Sequence, residues 1–477
     1  MLINKSKINS TSFPYSNYID RYGNKFILVI VLASMSFIPA LFLPHIGEEG
    51  VYTIGSFEML YSKDFIHATL YGGGYPRPPL YNWCILGVAY ILRLQDLLIA
   101  ARIVSILSTL GMATIVAWLA KKLWQQRFIG ILTSSIFLSG DILLRRGWMA
   151  YSDPIFAFFV FASMALLWIA VHELCFLWLL LSVLCLFFGF LAKVHTIYIF
   201  YGVAWLILFW SYPQQRKFLL SIKSIIIYLL AIIFPWIWIK YIAHSGTIAS
   251  TVDNIEHLFI LDSLMQYIIK IGLYPLELIW RTLPVSIVVL FHIIWKKHKI
   301  IANNVFFIAG AIILINLLPY WISPCRSIRY LMPLYPLMAM MFSYIVYTGG
   351  ESLLRQTITW LMLCVCINYL VMFFWYPYDQ TVRKGNAKAI AQEIMSIAKD
   401  EPLYINNSGA GGLRVAAELN TLRTNKPPLH YITENYNGYV VVNQLTDLPG
   451  ILVATYKLGG ITVYLKCNGE HCAQGKH

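Results

Sequence analysis

The chain has 477 residues, of which 59% are apolar and only 12% charged. A water-soluble domain carries roughly twice that share of charge, so composition excludes a wholly soluble protein. The formal charge of +14 does not point to nucleic acid, because Lys and Arg gather in short loops between apolar runs, as membrane topology requires, and form no basic stripe interleaved with exposed aromatics.

A polar stretch of 25 residues precedes the first apolar run, Phe26 to Pro44. No small-residue cleavage site follows it, so it reads as an uncleaved first span. A span needs about 20 mostly apolar residues, and further candidates lie at 98–119, 128–144, 154–172, 174–192, 194–211, 222–243, 273–295, 301–320, 330–348 and 355–375. The run 79–94 is short and carries Arg93, and the charge bias decides its place. With Lys5, Lys7, Arg21 and Lys25 inside, a surface helix at 79–94 puts the basic loops 121–127, 213–217 and 296–299 inside as well. Counting it as a span would put all three outside, against the positive-inside rule.

The expected fold class is therefore mainly α: a polytopic membrane domain (1–375) of about eleven spans with a first outer loop at 45–97, and a small α/β domain (376–477) outside the membrane. In that second domain NAKAIAQEIMSIAK has helical spacing. PLYINN, HYITEN, GYVVVN, ILVATYK and ITVYLK read as short strands. GAGG at 409–412 lacks the strand–helix context of a nucleotide fingerprint. Cys467 and Cys472 could form a disulfide in an oxidising compartment. Zinc binding with His471 lacks a convincing fourth ligand.

This topology places Glu48, Glu49, Arg77, Arg145, Arg146, Asp153, Lys193, Glu256, His257, Arg326 and Arg329 on the outer side. Some have ordinary readings: a hydrated loop for Glu48 and Glu49, lipid head-group pairing for Arg77, a helix N-cap followed by Pro for Asp153. Together they describe an outward cavity with carboxylates and separated cations. That set suits a lipid-phosphate leaving group, whose developing charge fixed cations would stabilise, and Arg is well shaped for phosphate.

The ordered set resembles the GT-C membrane glycosyltransferases, specifically the protein O-mannosyltransferase and lipid A aminoarabinose transferase group. Glu48-Glu49-Gly50-Val51-Tyr52 is similar to that group's D-E-x-x-Y, Arg77-Pro78-Pro79 to its K-P-P turn, and Tyr81-Asn82-Trp83 to its Y-x-W. Asp153-Pro154-Ile155-Phe156, Ala192-Lys193-Val194, Pro235-Trp236 with Glu256-His257, and the basic run Arg326 to Pro333 follow in order. The chain departs from the group in Glu48 for Asp, in Arg77 for Lys, and in two fewer spans than the aminoarabinose transferases.

The resemblance implies a transferase in the cytoplasmic (inner) membrane, with its C-terminal domain and active site on the periplasmic side. It would move a sugar from a polyprenyl-phosphate carrier to a lipid or glycan acceptor, lipid A or lipopolysaccharide among them, with inversion. Glu48 is then the base or acceptor-orienting group, supported by Glu49 and Asp153. Tyr52, Arg77, Arg145, Lys193, Glu256, His257, Arg326 and Arg329 would bind donor phosphate and substrate. A divalent cation near Glu48 and Asp153 stays open as a cofactor, with no metal-ligand set assigned. Two alternatives stand beside this one: a protein O-glycosyltransferase using the same donor, and a polytopic transporter. Against the transporter, no internal repeat is visible and the charges sit at one membrane face instead of the midplane.

Overall fold

The computed structural model describes residues 16–75, 77–193, 196–242, 264–297, 300, 302–323, 328–406, 410–444, 448–469 and 472. Among them, seven helices are long and apolar enough to cross a membrane: Arg21–Phe42, Leu97–Trp124, Ser152–Glu173, Ile222–Lys240, Asn304–Ile322, Arg329–Thr348 and Glu351–Arg383. Two bent pairs, Thr196–Ser211 with Pro213–Leu219 (107°) and Tyr267–Arg281 with Val285–Ile294 (108°), raise the number to nine if each is one span. The expected runs 128–144 and 174–192 are helices of 12 and 17 residues, Arg127–Leu138 and Phe176–Ala192. Length and apolarity alone thus support seven to nine spans, and about eleven only with these two added. The run 273–295 is not one straight span: it turns between Arg281 and Val285, where Pro284 has no amide hydrogen to continue the helical ladder.

Burial explains the lack of amphipathicity in these helices. In Ser152–Glu173, 83% of the apolar window is buried in the protein, against 17% in Ile222–Lys240. The first is a central helix and the second presents its side chains outward, so each is apolar all round for a different reason. Polar side chains cap several of the helices: Asp96 accepts from the Leu98 amide, and Asn303 from that of Phe306, at 2.8 and 2.9 Å.

The described residues between the first span and Leu97–Trp124 hold several short elements. These are a helix, Glu49–Ser62, a short hairpin of β1 (Thr69–Leu70) and β2 (Gly73–Gly74), and the 13-residue helix Leu80–Leu92. The last corresponds to the expected short helix at 79–94, and Arg93 ends it in a left-handed conformation at φ 52°.

At the end of the bundle marked by Asp153, a four-stranded sheet covers this loop. Its order is β3-β4-β6-β5, formed by β3 (Leu403–Asn406), β4 (Gly438–Val442), β5 (Ile451–Leu458) and β6 (Ile461–Asn468), with β3 parallel to β4 and the other pairs antiparallel. The helices Ala387–Ala398 and Ala410–Leu422 pack with it. HYITEN is not a strand: it makes one bridge, Ile405 to Tyr431, before leaving the sheet. Helix Ala410–Leu422 begins at the GAGG run and had no counterpart among the expected elements. Cys467 and Cys472 are bonded to one another.

Loop and sheet share one core. Ile54 and Tyr71 of the loop are buried with Ile394, Ile405, Val415 and Leu465. Gly50 permits the close approach: a Cβ there would lie 2.8 Å from the Leu413 carbonyl oxygen and 3.1 Å from Ala417 Cβ.

Candidate active site

The site begins where the chain leaves the first span. Gly47, at φ +59°, turns the backbone, and Glu48 stands at the N-cap of Glu49–Ser62. Only glycine takes such a turn without strain, and a Cβ at Gly47 would stand 2.5 Å from Tyr151 Oη. The Glu48 amide donates to that same hydroxyl at 3.2 Å, and the hydroxyl donates to the Ile46 carbonyl at 3.3 Å.

The two adjacent acids are used differently. Glu49 is fully buried and binds Arg102 in two places, Nε to Oε1 at 3.1 Å and Nη2 to Oε2 at 2.6 Å. It also accepts from the amides of Ile46 and Ala150, each at 2.8 Å. Arg102 spends its other donors on the carbonyls of Ala40, Leu43 and Pro44. The pair therefore fastens the turn after the first span to the segment before Asp153, and leaves Glu49 no surface of its own.

Glu48 points the other way, with 55% of its side chain exposed. Its Oε2 lies 3.6 Å from Arg329 Nη1, and Arg329 Nε lies 3.9 Å from Asp153 Oδ2. Asp153 is paired with Lys193. The Lys193 ammonium sits 4.6 Å over the Tyr330 ring and 5.8 Å over Phe156, where aromatic faces favour a cation. Alongside, Arg77 Nη1 donates to Tyr52 Oη at 2.7 Å, and Tyr52 Oη is 2.8 Å from Ser152 Oγ. Carboxylates and cations thus alternate along one row, Glu48, Arg329, Asp153, Lys193, with Arg77 and Tyr52 beside it. Arg329 is held by charge at distances too long for hydrogen bonds, and its buried Nε has no hydrogen-bond partner among the described residues. A guanidinium so placed retains donors for an oxyanion.

Six of the residues expected from sequence meet here: Glu48, Tyr52, Arg77, Asp153, Lys193 and Arg329. Glu49 lies beneath them. Arg145 does not join the row; its Nε binds Asp141 at 2.7 Å and it faces a second cavity. Glu256, His257 and Arg326 lie outside the described residues. Arg102 was not anticipated, although a lone cation inside the apolar run 98–119 is the kind of signal that marks a buried partner. Ser152, Tyr151 and Tyr330 carry no such signal, since small polar and aromatic residues are common near helix ends. Among the described residues no group of three His, Cys, Asp or Glu could hold a metal ion, and the Glu48 and Asp153 carboxylates face a common guanidinium.

A family model described as dolichyl-phosphate-mannose-protein mannosyltransferase matches residues 45–243. The undecaprenyl phosphate-alpha-4-amino-4-deoxy-L-arabinose arabinosyl transferase of Erwinia tasmaniensis is 35% identical over 91 residues. That match takes in 18% of this chain and 16% of the relative, so the similar stretch spans about a sixth of the relative's length. The likeness of fold is far broader. ArnT from Cupriavidus metallidurans bound to undecaprenyl phosphate superposes with a TM-score of 0.68 at 13% identity, covering 96% of this chain and all of that one. Its apo state gives 0.66 at 13% identity, covering 94% and 98%. The chain has the GT-C fold and resembles the ArnT and protein mannosyltransferase group of membrane glycosyltransferases.

Proposed function

We propose that the chain transfers a sugar from a polyprenyl-phosphate carrier to an envelope lipid or glycan acceptor at the outer face of the cytoplasmic membrane. The observation that carries this reading is the row of Glu48, Arg329, Asp153 and Lys193 with Arg77 beside it. Leaving-group phosphate gains charge as its bond to the anomeric carbon breaks, and fixed cations facing that oxygen lower the barrier most. Arg329, Lys193 and Arg77 are the residues for that role. Asp153 holds Lys193 and Arg329 apart and keeps their charges from repelling.

The acceptor oxygen attacks the anomeric carbon from the opposite face, with inversion, while the carbon–oxygen bond to the carrier breaks and its electron pair leaves with the polyprenyl phosphate. A hydroxyl acceptor gives its proton to Glu48; an acceptor already ionised needs only orientation from it. Glu49 acts through position, by fixing the turn that presents Glu48. The match to a protein mannosyltransferase model favours, as a second reading, a protein hydroxyl as acceptor with the same donor.

Two features support an outer location. The Cys467–Cys472 bond belongs to an oxidising compartment. Lys122 pairs with Glu173 at the end of the bundle opposite Asp153, beside Lys121 and Arg127, where the positive-inside rule expects the cytoplasm.

The test compares lipid A, other envelope glycans and glycoproteins by mass spectrometry in cells with no copy, the wild type, or Glu48→Gln. A one-sugar increment that requires the wild type and falls by about 10²- to 10⁴-fold in the variant is the expected result for loss of a general base. No increment on any acceptor, with both proteins correctly inserted, would overturn the transferase reading in favour of transport.

A further inference from the structure

A cavity of about 390 Å³ stands apart from the charged row, with none of Glu48, Arg77, Asp153, Lys193 or Arg329 in its lining. Phe57 reaches it from the helix Glu49–Ser62, Ala89 and Tyr90 from Leu80–Leu92, Leu97 from the start of the span Leu97–Trp124, and Asn420 from Ala410–Leu422. Among the described residues, no side chain that lines it carries a charge. It has two unlike sides. The loop helices give it an apolar wall, and the C-terminal helix with the turn after it gives a polar but neutral one, Asn420, Thr421, Thr424 and Asn425.

Its depth in the membrane follows from the span that borders it. Leu97–Trp124 has 28 residues and carries Lys121 and Lys122 in its last turn. At 1.5 Å per residue it is about 42 Å long, the thickness of a bilayer together with its polar interfaces. Leu97 therefore stands in the interface at the opposite end from those lysines, where lipid head groups join their acyl chains. The apolar wall runs on into exposed surface: Leu60 and Tyr90 are 45% and 86% exposed, and Ile91 beside them 76%. The polar wall holds an unanswered group. Asn420 is 3% exposed, and its Oδ1 accepts from the Leu429 amide at 3.2 Å, but its buried Nδ2 has no partner among the described residues. A buried donor left unmade is costly. A carbonyl brought in by a ligand would satisfy it. A hydrocarbon chain would not, and a charged head group would find no counter-ion in the lining.

We infer that this cavity holds the glycerol-ester region of a diacyl phospholipid from the leaflet on the side of the C-terminal domain. Its ester carbonyls accept from Asn420 and from Gln95 and Asn425, which stand exposed at the rim, and one acyl chain lies along Phe57 and Tyr90. The head group stays in water and is not read. The inference rests on the cavity and its depth, not on the transferase reading. Such a lipid braces the loop helix against the C-terminal helix beside the buried polar contact that already joins them: Thr53, which lines the cavity, lies 3.0 Å from His45 Nε2, and His45 Nδ1 lies 2.7 Å from Glu418.

The test is a native mass-spectrometric titration of the full-length protein, stripped of lipid in detergent, with diester phosphatidylcholine, its diether counterpart of the same chains, phosphatidylglycerol and undecaprenyl phosphate. One diester phosphatidylcholine is expected to stay bound, about tenfold more tightly than the diether, which has no carbonyl to accept. Phosphatidylglycerol should bind as well as phosphatidylcholine, and undecaprenyl phosphate should not displace either. Thr424→Trp fills the mouth from an exposed position and should abolish retention. Should that variant fold poorly, Gln95→Leu with Asn425→Leu keeps the volume of the rim and should shrink the preference for ester over ether. Lipid binding should also slow hydrogen exchange across Ala410–Leu422 in the wild type and not in Thr424→Trp. Equal affinity for diester and diether, retention indifferent to the variants, displacement by undecaprenyl phosphate, or a preference for phosphatidylglycerol that fades with salt would overturn the ester site. Exchange unchanged by a lipid that does bind would overturn the brace.

Discussion

Glu48 and Glu49 are neighbours of the same chemistry with opposite surroundings, and they should respond to substitution in opposite ways. Glu49 shares a fully buried ion pair with Arg102, so Glu49→Gln leaves a guanidinium uncompensated, which costs about 3–5 kcal/mol. The expected result is a large fall in thermal stability in detergent. Replacing both partners, as in Glu49→Leu with Arg102→Leu, should recover part of that stability, because a buried pair is often worth little more than apolar residues of similar size. It should not recover transfer, because the Ile46 and Ala150 amides and the carbonyls after the first span lose their common anchor. Glu48→Gln, at a half-exposed position, should change stability by less than about 0.5 kcal/mol. The sequence shows two adjacent acids and cannot divide these roles, since the partner that separates them lies 53 residues away. Its trace is only one Arg inside an apolar helix. Asp153 and Lys193 were legible as candidates for a simpler reason: each is a charge at the edge of a span, where an unpaired group is costly, and each is found paired with the other.

At the scale of elements, periodicity and apolar length placed most helices but not their bends or their tertiary tasks. The run after the first span carries turn residues and a pair of acids, which read as a loop. Its opening part, capped by the first acid and begun by the second, is the helix Glu49–Ser62, buried between membrane helices and sheet, so its composition reports burial more than exposure. The turn that starts this helix depends on Gly47. Gly47→Ala forces a residue with a side chain into a left-handed conformation, at roughly 1–2 kcal/mol, and drives its Cβ against Tyr151 Oη. We expect a loss of transfer far larger than the loss of folded protein, because the displaced group is the one that supports the Glu48 amide. Tyr151→Phe removes the oxygen in conflict, and the next ring atom, Cζ, lies 3.8 Å from the added Cβ. The double variant Gly47→Ala with Tyr151→Phe should therefore regain part of the activity that Gly47→Ala loses. If the two losses simply add in a kinetic double-mutant cycle, the steric account of the turn is wrong.

Across the whole molecule, the C-terminal sheet is fastened to the first outer loop by a buried polar contact as well as by a shared apolar core. The strands were legible because alternation and turn residues mark them. The contact was not, because its members, His45 and Glu418, lie 373 residues apart. Glu418 accepts from the His45 amide at 3.1 Å and meets its Nδ1 at 2.7 Å, while His45 Nε2 lies 3.0 Å from Thr53 Oγ1. Burial alone would raise the Glu418 carboxyl, but the hydrogen bonds and charge of His45 outweigh it and hold the group below its usual value of 4.5. A carboxylate whose folded value is depressed lends stability that is complete above the unfolded value. That stability fades as pH falls through the lower, folded value, because the unfolded state then binds more protons. Attachment of the sheet should accordingly loosen on acidification below about pH 4.5, which hydrogen exchange across Ala410–Leu422 and Glu49–Ser62 in nanodiscs would register. Glu418→Gln should lower protection at neutral pH and flatten its acid limb. Glu58 acts in the opposite sense: burial raises its carboxyl, so its contribution grows as pH falls through that raised value, and the Glu418→Gln background is where this rise should be seen without the opposing limb. An acid limb as steep in Glu418→Gln as in the wild type would assign the lability to other carboxylates, and with it remove His45–Glu418 as the link between the sheet and the turn that presents Glu48.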